Sequence, residues 1–300
     1  MRAQAMARKF EDFTGVKMEF RWLGTSRTFS DEKIQQVAIL YSAEEKLLSL
    51  RKKIVPKVDV YSELTSVKNA IRKYWVNSTL PYIEKGVRLL PIDAISSFDR
   101  TMSEYREQLR DLAQQFRAQL PHIVELARAQ LGALFNSEEY NIDEDCFDVN
   151  WKYLSLSVPE YIQSHQEVYE RETERLRQQV EEVILLAKAT FLEELKRLTG
   201  HLIERLTPED GKVKRLRREV LENFHTFFER FKSLNIANDQ ELTQIIEEAK
   251  KIISGTDAQT LRENTAFAEH IRNQMAAVHE SVDKALSDPD IVSVVRRRIL

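Results

Sequence analysis

The residues of this chain able to do chemistry are six histidines, one cysteine, a cluster of carboxylates and two basic runs. His122, His165, His201, His225, His270 and His279 form no His-Glu-x-x-His motif, and no two lie three or four positions apart. A metal site would need ligands from separate helices, which this spacing does not assemble, so each reads as a surface or boundary histidine. Asp143, Glu144, Asp145 and Asp148 have the charge for Ca²⁺ but lack the turn glycine and distal glutamate of an EF-hand, and read as a solvated loop. Cys146 is alone, which excludes an intramolecular disulfide and a cysteine-cluster metal site, and it reads as a half-buried loop thiol. Glu181 with Glu182 and Glu193 with Glu194 lie among Arg and Lys, as on a solvated helix face with i,i+4 pairing. Gly132, Gly200 and Gly211 stand alone, so there is no P-loop, and no serine sits in a Gly-x-Ser-x-Gly elbow. The residues predict no catalytic, cofactor or metal site, and a protein that is not an enzyme.

Two basic runs remain. Lys212, Lys214, Arg215, Arg217 and Arg218 gather five positive charges in a chain of net charge −3. They are the candidate contact for an acidic protein partner or a phosphate. Arg296, Arg297 and Arg298 form the second run. No aromatic residues are interleaved with either, so base stacking on a single strand is not supported.

The elements that must carry these residues are helices. Apolar residues make up 42% and charged residues 31%, with only seven Gly and seven Pro, the balance of long amphipathic helices. The first residues, MRAQAMARKFEDF, hold no apolar stretch of signal-peptide length, and no window reaches the ~18 apolar residues of a membrane span. The expectation is a reduced, cytoplasmic protein without membrane contact.

The dominant stretch runs from Pro159 to Leu206 and reads as one helix, on the order of 70 Å long at ~1.5 Å per residue. Its apolar stripe is Ile162, Tyr169, Leu176, Val180, Val183, Ala187, Phe191, Leu195, Leu198, Leu202 and Leu206. Leu176, Ala187 and Leu198 recur at eleven residues, as do Val180, Phe191 and Leu202; that period, ~3.67 per turn, favours a straight or slightly right-handed stripe. Such a helix cannot bury its stripe alone, so it is the spine of a bundle or long hairpin. Gly200 costs it roughly 1 kcal/mol relative to Ala, which points to a close helix crossing or a bend. The polar TPEDGKVKR turn follows, then a helix to Leu234 with Phe224, Phe227, Phe228 and Phe231 spaced as core. Asn238 and Asp239 offer caps for a helix that Gly255 ends, and Asp257 caps one helix carrying Leu261 to Val282 inward.

Upstream, residues 1–15 read as an arm or short helix. Val16 to Trp22 alternate as a strand. Ser30 and Asp31 start a helix with Ile34, Val37, Leu40 or Tyr41, Leu47 and Leu50 inward, stopped at Pro56. A helix over 62–76 precedes an irregular connection with a short strand at 87–90. A further helical pattern over 92–135 is broken or kinked at Pro121. Phe147 to Tyr153 alternate as a strand whose phase switches at Leu154, and it is expected to pair with Val16–Trp22 or Val87–Leu90.

GVRLLPIDAISSFDR, FDVNWKYLSL, and EDGKVKRLRREVLENF leading to SLNIANDQELTQIIEEAKKIISG together resemble an uncharacterised bacterial and phage family, a domain of unknown function. The resemblance covers about residues 60–265. It implies a bacterial or phage source and, through members encoded near MoxR-type AAA+ ATPases and von Willebrand A-type proteins, a link to such a system. It assigns no functional residue.

The reading is a mainly α, elongated helical bundle with a long antiparallel, coiled-coil-like hairpin and a small β element at one end. Three stretches compose it: 1–58 (arm, strand, helix), 59–158 (helical with short strands) and 159–300 (hairpin and C-terminal helices), read as one continuous elongated unit. The expected function is an interaction or scaffold protein that binds protein partners or a second copy. The alternative is a nucleic-acid-associated protein using the 212–218 tip.

Overall fold

The computed structural model describes residues 12–143, 146–209, 212–213, 216–235 and 239–299. The protein is mainly α with a small antiparallel sheet. In chain order the strands are β1 (Phe13–Arg21), β2 (Ser26–Thr28), β3 (Arg51–Lys53), β4 (Leu80–Pro81), β5 (Val87–Pro91), β6 (Asp148–Leu154), β7 (Pro208–Glu209) and β8 (Lys212–Val213). The helices are α1 (Asp31–Tyr41), α2 (Asp59–Ser78), α3 (Ile95–Leu131), α4 (Gln166–Leu206), α5 (Arg218–Leu234), α6 (Gln240–Ile253), α7 (Ala258–Glu263), α8 (Thr265–Leu286) and α9 (Pro289–Ile299). The sheet order is β4–β5–β1–β6, with Phe13 opposite Pro91 and Lys17 opposite Val87. The strand at 148–154 is therefore a neighbour of β1, the first of its two expected partners.

The chain divides into two compact units: residues 1–17, 76–95 and 153–300 form the first, and 18–75 and 96–152 the second. These cuts differ from the sequential stretches read from composition, because the chain passes between units four times.

In the first unit α4 is the hub. Its stripe is buried from Val180 to Leu206, where Val183, Leu192, Leu195 and Leu202 are fully enclosed. Each such side chain contributes about 1.5–3 kcal/mol on burial. Upstream the helix begins at Gln166 rather than Pro159: a 3-10 turn at Glu160–Ile162 and the turn at 163–165 come first, so Ile162 is not in it. The helix lying along most of α4 is α8, with α9, α5 and α6 as further neighbours. Phe191 meets Phe227 and Phe231 of α5 edge-on at 6.1 and 5.2 Å. Arg230, inside this packing, pairs with Glu194 and lies 5.4 Å from the Phe191 ring.

Helix ends follow the side chains able to make them. Asp239 accepts the Leu242 N–H at 2.8 Å and starts α6, and Gly255 at φ +80° follows its end. The single helix expected after Asp257 is two: Asn264 leaves helical geometry and caps a new start by accepting the Phe267 N–H at 3.0 Å. Gly200 sits at a helix crossing, where a Cβ would come 3.3 Å from His279 Cε1 of α8. Thr199 Oγ1 and His279 Nδ1 are hydrogen-bonded there at 2.7 Å.

In the second unit α3 supplies the core through Phe98, Met102, Leu109, Ala113, Phe116, Ile123 and Ala127. Pro121 lies inside this helix, which continues to Leu131. A proline removes one helical hydrogen bond, but buried Phe116 and Ile123 anchor the turns on either side. Phe147 packs against Trp22, Phe116 and Tyr61 at 5.0, 5.0 and 6.2 Å.

Three expectations change here. The arm at residues 1–11 lies outside the described residues, and β1 already runs from Phe13, so Gly15 is within a strand. The helix after Ser30 ends at Tyr41, not Pro56, because Ser42 turns left-handed at φ 51° and residues 51–53 pair with β2. The strand at 148 ends at Leu154, so the alternation of Leu156 and Val158 lies beyond it.

Candidate functional site

The sequence-predicted basic segment is only partly described. Lys212 belongs to β8, which pairs with β7 in a two-stranded hairpin, while Lys214 and Arg215 lie outside the described residues. Arg217 is the residue before α5 and Arg218 its first. Both are exposed, and Arg218 Nε is 3.1 Å from Glu222 one turn on. A helix N-terminus carries partial positive charge, so two arginines there gain nothing from the dipole.

The acidic cluster does not act as a unit among the described residues. Glu144 and Asp145 are outside them, and Asp148 is committed to Arg106. No group of three His, Cys, Asp or Glu among the described residues could hold a metal ion. Burial pushes the Cys146 thiol up; Asp143 adds to this, while the Phe147 N–H and the Arg117 charge oppose it without reversing it. A raised pKa leaves it a thiol at neutral pH, which is not the state of an activated nucleophile. Among the described residues no helix is long and apolar enough to cross a membrane.

Two features of the second unit were not legible as sites. One is an apolar surface. Ile39 and Leu40 are 73% exposed, Tyr41 74% and Leu47 81%. Ile34 and Ala38 bury the other face of α1. The turn after it is fixed by the Ser42 N–H to Ile39 and the Ala43 N–H to Ala38, at 3.2 and 2.9 Å. It leads into the 3-10 turn Glu45–Leu47, which packs beside α1. Three apolar side chains of a helix end and a fourth from the next turn thus face solvent. Read as one helix to Pro56, Leu40 or Tyr41 and Leu47 fell on the inward face; in the structure all three are exposed, Leu40 and Tyr41 at the helix end and Leu47 beyond the left-handed turn at Ser42.

The other feature is a cleft of about 380 Å³ whose lining includes Arg21, Arg106, Arg110, Gln114, Arg117 and Asn150. Arg106 donates from Nε to Asp148 Oδ1 at 2.8 Å and from Nη2 to Oδ2 at 2.7 Å. Burial alone would raise the Asp148 pKa, but the hydrogen bonds from Arg106 and the Val149 N–H, with the charges of Arg106 and Arg110, hold it below the usual carboxylate range. The Arg106 pKa is raised correspondingly, chiefly by its hydrogen bond to Asp148. The fork is thus an ion pair throughout the neutral range.

Comparison with protein families, with curated proteins and with solved structures found no match for this chain.

Proposed function

We propose that this protein is a non-enzymatic interaction or scaffold protein that binds a protein partner. The observation that carries the reading is the exposed set Ile39, Leu40, Tyr41 and Leu47. Soluble proteins rarely leave large apolar side chains contiguous on the surface unless another surface covers them, and Tyr is among the residues that dominate binding energy at interfaces. The long α4 with α5 serves this role as an antiparallel hairpin; the Phe191–Phe231 and Glu194–Arg230 contacts support that arrangement. A bacterial or phage, cytoplasmic setting, with an AAA+ ATPase system as the source of the partner, is the setting proposed from the family resemblance.

The test is the triple variant Ile39→Ser, Leu40→Ser and Tyr41→Ser, compared with wild type by affinity capture and by sedimentation of the pure chain. A captured protein, or a self-association, that the variant loses while its melting temperature holds supports the reading. Identical capture and sedimentation by both would overturn it.

The second reading, nucleic-acid association through 212–218, is favoured by Arg217 and Arg218, exposed at a helix start where the dipole does not reward them. It requires duplex binding that falls with salt, with a log–log slope near −0.9 per phosphate contacted, and that Arg217→Glu with Arg218→Glu abolishes.

A further inference from the structure

We propose that the arginine-lined cleft of the second unit is a binding site for the di- or oligophosphate group of a small ligand. The wall is one stripe of α3: Arg106, Arg110, Gln114 and Arg117 follow at intervals of four, four and three residues, so they share a helix face. Ala113, buried between them, keeps the wall low. Arg21, from the end of β1, and Asn150, from β6, complete the lining with further donors.

Among the described lining residues, four arginines and one aspartate sum to a formal charge of +3. Asp148 is paired with Arg106 rather than with the rest of the lining: Oδ1 accepts from Arg106, and Oδ2 accepts from Arg106 and from Asn150 Nδ2 at 3.3 Å. It orients the Arg106 guanidinium and leaves Arg110 and Arg117 to the ligand. Arg110 and Arg117 are exposed and make no ion pair with any described residue. Holding these two like charges beside Arg106 costs Coulomb energy that no ion pair among the described residues offsets, whereas a multivalent anion offsets it. Cys146, a neutral thiol at the rim, adds no negative charge.

The backbone is also unusual at one lining residue. Phe147 holds φ +71°, a region a bulky side chain rarely occupies. Its ring is locked among Trp22, Tyr61 and Phe116, and its N–H donates to Arg21 O at 3.1 Å. The strained residue thus fixes the segment that supplies Cys146 and Asp148 to the lining, and ties it to the strand end that carries Arg21.

Guanidiniums are planar forks suited to oxyanions with many lone pairs, which favours phosphate. The volume is at the small end of ligand sites, and the lining offers no open aromatic face for a base, so the phosphate end is what the cleft reads.

The experiment is calorimetric titration of the full chain with inorganic pyrophosphate at low salt, for wild type, for Arg110→Gln with Arg117→Gln, and for Arg217→Glu with Arg218→Glu. The expected result is saturable binding by wild type and by the 217/218 variant, weakened roughly tenfold or more in the 110/117 variant. Both arginines are exposed, so that variant should melt as wild type does; circular dichroism checks this. Absence of saturable binding by wild type overturns the proposal, as does binding unchanged in the 110/117 variant or lost only in the 217/218 variant. Capture of a protein through Ile39–Tyr41 is independent of every one of these outcomes.

Discussion

The α4 stripe and the arginine cleft are built by opposite rules. Along α4 the functional unit is the repeat: leucine, valine and phenylalanine return each turn or so, and burial against α8, α5 and α6 follows from one stretch of chain. In the cleft the unit is a meeting of Arg21, the 106–117 stripe and residues 146–150, brought together from three distant stretches. The first arrangement buries apolar surface and carries no chemistry. The second collects charge at the surface and contributes little to a core. The lesson is that periodic stretches report on what holds a protein up, while candidate sites are assembled from residues whose separation in sequence hides them.

The largest effect that can break this comparison lies in the first region. Phe191 is 2% exposed between Phe227 and Phe231. Phe191→Ala should cost roughly 3–5 kcal/mol, read as a lowered melting temperature or denaturation midpoint. An unchanged midpoint would mean that the stripe is not the core.

Next is the ion pair within that core. Removing its carboxylate by Glu194→Ala leaves the Arg230 guanidinium, whose Nε and Nη2 have no hydrogen-bond partner among the described residues, buried against an aromatic ring. We expect a loss of about 2–3 kcal/mol. The pair Glu194→Met with Arg230→Met should lose far less, because packed apolar groups commonly replace buried ion pairs at little cost. Equal losses in both variants would show that Glu194 acts through something other than this pair.

The counterpart in the second region is Asp148. Its folded pKa is depressed, so it binds protons more weakly folded than unfolded. Its contribution is present above the unfolded value of ~3.9 and is lost as pH falls through the lower folded value. Asp148→Asn should lower stability at neutral pH by about 1–2 kcal/mol and flatten the decline below pH ~4. Denaturation series at several pH values read both, and an acid limb as steep as that of wild type would place the titrating group elsewhere.

What could be read from sequence divides along the same line. The α4 stripe from Val180 to Leu206, the phenylalanines of α5 and a helix start at Asn238 or Asp239 were legible because each depends on neighbours within a few residues. The β1 alternation was legible for the same reason. The end of α1 was not: Ser42 carries no strong stop signal, and apolar residues continue past it at near-helical spacing. Asn264 hid a second helix start in the same way, since a cap inside a periodic stretch does not disturb the period. The cleft was invisible because Arg106, Arg110 and Arg117 look like any solvated helix face until Arg21 and the Phe147 turn are placed beside them.

The smallest expected effect tests how tightly the first region is packed. Gly200 gives up roughly 1 kcal/mol of helix propensity relative to Ala, and the structural reason is His279, which would stand 3.3 Å from a new Cβ. The ring is not free to move aside without loss, because its Nδ1 is hydrogen-bonded to Thr199. In the wild-type background, then, Gly200→Ala should change stability by less than about 1 kcal/mol, the propensity gain being offset by the displaced ring. With His279→Ala already made, the obstacle is gone, and the same Gly200→Ala change should stabilise by nearly the full ~1 kcal/mol. The difference between the two steps is the coupling energy of the crossing. Thermal melts of the four proteins measure it directly. A coupling near zero would mean that α4 and α8 have room between them at this point, and that the glycine answers to something other than the helix that crosses it.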